Sequence, residues 1–110
     1  MQTPMEKVKD VTIVQLAGEI NFNSANETRE IFSKLLQSGE KKILVDFQKV
    51  VFIDSSGLAV LIETVQRLNK VNGKLRVFNV NKKIREIFEI VKIHKLISRD
   101  DNREVALGDF

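Results

Sequence analysis

The sequence predicts an α/β domain, a mixed and mostly parallel β-sheet of four to five strands with about four helices. Three observations predict it. Short β-branched runs alternate with amphipathic segments in the order β-β-α-β-α-β-α, the order of layered α/β architectures. The stretch from Ile43 to Phe78 reads as strand, helix, strand, which closes as a parallel crossover. The 110 residues, 43% hydrophobic and 30% charged, suit one core and are too few for two. The chain is therefore read as a single domain over residues 1–110.

The elements follow in order. Met5 to Val8 reads as a short first strand, with Lys9-Asp10 turning into a second. Val11 to Ala17 is β-branched and apolar at most positions, so both faces are expected to be covered, and it ends at Gly18-Glu19. Ser24 begins a helix. Glu27 stands three residues on, a capping-box spacing in which each side chain satisfies the other's backbone N–H. Ala25, Thr28, Phe32, Leu35 and Leu36 form its apolar stripe, and Ser38-Gly39 stops it.

Ile43 to Phe47 reads as a central strand bounded by Lys41-Lys42 and Gln48-Lys49. A second apolar run, Val50 to Ile53, precedes a helix from about Ser56 to Val71, stopped by Asn72-Gly73. Leu75 to Phe78 is the next strand. A third helix covers about Asn81 to Val91, with Ile84, Ile87, Phe88 and Val91 on its buried side. Ile93 to Ile97 fits strand or helix. The polar tail from Arg99 to Phe110 holds at most a helical turn around Glu104 to Leu107.

Composition excludes several functions. With no cysteine, neither a disulfide framework nor a thiolate metal site can form. One histidine and scattered carboxylates make no metal site, and no cofactor motif is present. The net charge of +3 is spread along the chain between acids, and tryptophan and tyrosine are absent. Stacking platforms for bases are therefore scarce, and direct nucleic-acid binding is not expected. No signal-peptide pattern opens the chain, and no apolar run approaches the roughly 18 residues that span a bilayer. The expectation is a soluble, cytoplasmic protein with no membrane insertion.

Catalytic motifs fail on inspection. Around Ser55 a nucleophile elbow would need glycine where Ile53 stands, and the single histidine, His94, lies in an apolar stretch. Gly73-Lys74 lacks the Ser/Thr and first glycine of a phosphate-binding loop, and Asn26-Glu27-Thr28 is a chance glycosylation triplet. The protein is not expected to be an enzyme.

What remains is Asp54-Ser55-Ser56-Gly57-Leu58. These residues lie where strand-like chain turns into a helix whose Leu58, Leu61, Ile62, Val65 and Leu68 share one face. Asp or Ser there can cap the helix through a side-chain oxygen. The same helix end tolerates an anion, so a serine there can also carry a phosphate. Spacing alone leaves both roles open. A phosphate on Ser55 adds about −1.5 to −2 charges beside Asp54, enough to repel a docked partner without remodelling the domain.

The segment resembles the phosphorylation loop of the STAS domain, the family of bacterial anti-sigma factor antagonists. The likeness extends along the chain: Gly18-Glu19-Ile20-Asn21 is similar to the family's Gly-Glu-(Leu/Ile)-Asp, and Ile84-Arg85-Glu86-Ile87-Phe88-Glu89 to its third-helix pattern. The resemblance implies a STAS-like fold and partner switching. The unmodified antagonist binds an anti-sigma factor that is also a serine kinase, phosphorylation of the serine after the loop aspartate releases it, and a PP2C-type phosphatase resets it. Carried over, the phosphoacceptor is Ser55, and Asn21, Asp54, Ser55, Ser56, Gly57 and Leu58 make the switch segment. Asn21 stands where the family usually has Asp, Ala59 where Gly is common, and Lys92 where Gly is frequent. The alternative within the same fold is an interaction module without phosphorylation, such as a subunit of a lipid-transport ABC complex or a signalling scaffold.

Overall fold

The alternation of β-branched and amphipathic segments resolves into a five-stranded sheet in a computed structural model that describes residues 3–93, 98–100, 102–108 and 110. In chain order the elements are β1 (Met5–Val8), β2 (Val11–Ile20), α1 (Ala25–Gln37), β3 (Lys42–Ile53), α2 (Ser55–Asn69), β4 (Lys74–Phe78), α3 (Lys82–Ile90), β5 (Ser98–Asp100) and α4 (Arg103–Gly108). The strands stand in the sheet in the order of the sequence. The β1–β2 pair is antiparallel and the other three pairs are parallel, so the expected mixed, mostly parallel sheet is present.

Each parallel connection moves one strand along the sheet, and α1, α2 and α3 pack over one face. Phe32 of α1, Leu61 and Leu68 of α2, and Ile84 and Phe88 of α3 join Val14, Ile43, Val45 and Phe47 of the strands in one buried cluster. Phe47 and Phe88 meet edge to face, with ring centroids 5.9 Å apart. The opposite face is covered near the start of β2 and β3, where Ala106 of α4 packs with Val11, Ile13, Leu44 and Phe78. The coverage of both faces expected for Val11 to Ala17 holds from Val11 to Val14, all buried, but not to the end of that run, where Gln15 is half-buried and Ala17 exposed.

The strands β2 and β3 run further than their neighbours. β1 pairs with β2 as far as Val14, and β4 with β3 as far as Asp46. Beyond these points the two strands continue as a ribbon to Ile20 and Ile53, with register shifts after Gln15 and after Gly18. Each shift places an unpaired residue, which bends and twists a ribbon. For that reason the runs Ile43–Phe47 and Val50–Ile53, separate in the sequence reading, are one strand, and Gln48-Lys49 is exposed ribbon rather than a boundary.

Other departures have local causes. Ser24 precedes α1 as expected, but its side chain makes no capping bond, so the Ser24–Glu27 box does not form. Its hydroxyl donates instead to the Glu19 carbonyl at 2.8 Å and accepts the Asn21 N–H at 3.0 Å. Val91, read as buried, is 49% exposed because the helix ends before it and Lys92 turns to positive φ. α2 starts at Ser55, one residue earlier than the sequence suggests, and ends at Asn69, before the expected Val71; the chain then turns at Asn72, with φ 59°, and the Gly73 N–H donates to the Leu68 carbonyl at 2.7 Å. Ile93 is buried; residues 94–97, which hold His94, lie outside the described residues.

Candidate functional site

The ribbon delivers two chain segments to one edge of the domain: the β2–α1 connection, residues 21–24, and the β3–α2 junction at Asp54. Asp54 has extended backbone, φ −106° and ψ −172°, the conformation of a residue that caps a helix without joining it. One carboxylate oxygen accepts the Gly57 N–H at 3.1 Å, satisfying a backbone donor that the first turn of α2 leaves without an intrahelical acceptor. The other oxygen accepts the Phe22 N–H at 3.1 Å. The Asp54 N–H donates to the Ile20 carbonyl at 3.1 Å. One residue thus ties the end of β2, the following loop and the start of α2 together.

The loop is held from its own side as well. The Asn21 side-chain oxygen accepts the N–H groups of Asn23 at 2.9 Å and Ser24 at 3.3 Å, an Asx turn. Its amide donates to the Glu19 carboxylate at 3.3 Å. An aspartate at position 21 could keep the turn but would set a second carboxylate against Glu19. The neutral amide removes that repulsion.

Ser55 is exposed and occupies the first position of α2, with its hydroxyl pair-mate Ser56 half-buried behind it. Gly57 and Leu58 are buried. Leu58, at 7% exposure, belongs to the core cluster, so its part in the segment is to seat the helix on the sheet. Gly57 lies against the end of β2: a Cβ on it would come within 2.4 Å of the Ile20 carbonyl oxygen. Sequence reading took Gly57 as part of a helix start and had no access to this contact. The structure therefore brings all six predicted residues together. Asp54, Ser55 and Asn21 are accessible, and Gly57 and Leu58 support them from below.

Sequence reading missed Phe22. Its side chain is 79% exposed, although its backbone is pinned to Asp54. A lone aromatic in the polar stretch Asn21-Phe22-Asn23-Ser24 was the available signal. The Arg29–Glu63 ion pair, 2.8 Å, links α1 to α2 behind the site, and Glu63 holds the Arg29 guanidinium above its ordinary value, chiefly by hydrogen bonding. Among the described residues no group of three or more His, Cys, Asp or Glu side chains is placed to hold a metal ion. No described helix is long and apolar enough to cross a membrane.

The STAS domain model matches residues 2–106 of the chain. An anti-sigma-B factor antagonist of Staphylococcus aureus is 28% identical over 92 residues, which is 84% of this chain and 85% of that protein. The Thermotoga maritima protein tm1081 superposes with a TM-score of 0.92 at 22% identity, covering 97% of this chain and 92% of that one. The Bacillus cell fate determinant SpoIIAA, solved in its phosphorylated form, superposes with a TM-score of 0.74 at 20% identity and covers 98% of both chains. These likenesses establish the fold.

Proposed function

The chain belongs to the STAS domain family, and on that premise we propose that it is an anti-sigma factor antagonist switched by phosphorylation at Ser55. In this reading the unmodified chain binds an anti-sigma factor that is also a serine kinase and so frees a sigma factor. Phosphate on Ser55 ends the complex, and a PP2C-type phosphatase restores it. The chain acts as a cytoplasmic binding protein over residues 1–110, without catalysis and without touching nucleic acid itself. The Staphylococcus aureus relative, named an anti-sigma-B factor antagonist, supports the coarser part of this reading.

The observation that carries the finer part is the exposed Ser55 at the first position of α2, next to an Asp54 whose two oxygens are already engaged. A phosphate there meets the positive end of a 15-residue helix and the negative charge of Asp54. The first favours it by about 0.3–1 kcal/mol and the second opposes it, so the domain itself changes little in stability. A partner packed over Ser55 responds differently. It would have to desolvate a dianion against whatever group faces the hydroxyl, and like-charge or unpaired placement costs several kcal/mol, on the order of a thousandfold in affinity.

The test is to incubate the protein with the cognate serine kinase and ATP and to map phosphate by mass spectrometry. One phosphate at Ser55 is expected, with Ser55→Ala unmodified and Ser55→Asp unable to bind the kinase. Absence of phosphate at Ser55, with both variants binding like the wild type, removes the reading.

A further inference from the structure

We infer that Phe22 is the apolar anchor gripped by the serine-kinase partner and that Asp54 is the positioning residue that fixes this anchor beside Ser55. The inference rests on the phospho-switch reading and adds the residue that recognises the partner. At 79%, Phe22 has the highest exposure among the exposed large hydrophobic residues described. Exposed apolar side chains usually sit singly on mobile or indifferent surface. Phe22 differs in that the backbone of its loop is held.

Asn21 closes an Asx turn on Asn23 and Ser24. The Ser24 hydroxyl bonds to the backbone of Glu19 and Asn21. The Phe22 N–H itself donates to Asp54 at 3.1 Å. The chain therefore commits five hydrogen bonds to a loop whose one large apolar side chain ends up in water. A loop backbone already held in place does not have to be ordered when its aromatic is covered, which lowers the cost of using that side chain as an interface anchor.

Position supplies the occupant. Asp54, which accepts the Phe22 N–H at 3.1 Å, is the residue directly before Ser55, so an enzyme that brings ATP to the Ser55 hydroxyl approaches the loop that carries Phe22. Such a partner needs an apolar-walled pocket beside its phosphoryl-transfer site. The Asp54 carboxylate also settles which variant isolates its role. Asparagine caps helices as well as aspartate does, so Asp54→Asn can keep the bond from Gly57, but the amide it then turns toward Phe22 is a donor and cannot accept.

Two measurements test this. Hydrogen exchange on the protein alone should show the Phe22 amide losing about tenfold or more of its protection in Asp54→Asn, with core amides unchanged. Kinetics with the purified serine-kinase anti-sigma factor that phosphorylates the wild type, and ATP, should show Phe22→Ala raising KM for this chain about tenfold or more. Its kcat should change little, and Phe22→Leu should recover most of the loss. Asp54→Asn should raise KM in the wild type but add little in the Phe22→Ala background. Unchanged Phe22 protection in Asp54→Asn overturns the positioning role, and an unchanged KM in Phe22→Ala overturns the anchor. If the wild type takes no phosphate at Ser55, the switch reading falls and takes the named partner with it, while the exchange experiment still judges the Asp54–Phe22 link.

Discussion

Gly57 packs against Ile20 so closely that a Cβ built on it would lie 2.4 Å from the Ile20 carbonyl oxygen. The same oxygen accepts the Asp54 N–H at 3.1 Å. A helix start, its cap and the end of a neighbouring strand thus share one carbonyl group. Because the obstacle is backbone, it cannot rotate away as a flexible side-chain tip could. Gly57→Ala is therefore expected to destabilise the fold by about 1–3 kcal/mol, although alanine favours helices over glycine by about 1 kcal/mol. Urea denaturation checks this. A stabilised variant would show that α2 can shift outward without loss.

Ser55 lies outside this packing. The residue is exposed at the first position of α2. Ser55→Ala and Ser55→Asp are each expected to change stability by no more than about 0.5 kcal/mol. Thermal melts of the purified variants measure it, and they also ensure that a binding defect in Ser55→Asp reports the interface rather than the fold.

Asn81 caps α3 by accepting the Ile84 N–H at 2.8 Å while its amide donates to the Val50 carbonyl at 3.2 Å. That second bond covers the β3 edge beyond the reach of β4. Asn81→Ala should cost about 1–2 kcal/mol, whereas Asn81→Asp keeps the cap and loses the donor to Val50. Chemical denaturation of the pair should rank alanine as the more damaging.

The ring of Phe88 is 1% exposed and meets Phe47 edge to face. Phe88→Ala leaves a cavity between α3 and the sheet and should cost about 3–5 kcal/mol. A substantially smaller loss in denaturation would mean that α3 collapses onto the vacated space.

Glu40 joins strands and helix end: its carboxylate accepts from the Lys7 ammonium and, at 2.8 Å, from the Thr12 hydroxyl. The Lys7 bond first, then the Thr12 bond, hold this carboxyl below its ordinary value. A carboxyl with a lowered folded value contributes stability that is complete above the unfolded value, about 4.3, and is lost as pH falls through the folded one. The contribution is expected to stay within about 1 kcal/mol because Lys7 is half exposed. Stability of wild type minus Glu40→Gln, followed from pH 7 to pH 2, should be positive at neutrality and decline below about pH 4.3. A pH-independent difference would exclude the ionic origin.

How much was legible in the sequence depended on the range of the forces involved. The elements from β2 to α3 were legible because their signals are local: apolar periodicity for α1, α2 and α3, β-branched runs for β2 and β3, and a short apolar run after Asn72-Gly73 for β4. Ser55 was legible because the Asp54-Ser55-Ser56-Gly57-Leu58 segment is contiguous, so its place at a strand-to-helix junction follows from neighbours in the chain. The Ser24–Glu27 box failed for the complementary reason. The Glu19 carbonyl in β2 and the Asn21 N–H just after it engage the Ser24 hydroxyl, and no pattern within the helix reveals them.

The sequence by itself determined the order of elements from β1 to α3, the family and the place of Asp54 to Leu58 at a strand-to-helix junction, since each of these is set by residues close together in the chain. The tertiary structure alone decided that β2 and β3 outrun their neighbours, that Gly57 must lack a side chain, and that Asp54 holds the Phe22 backbone. Those facts depend on contacts across 32 to 37 residues of chain, between segments whose approach is set by sheet register and packing rather than by any local preference.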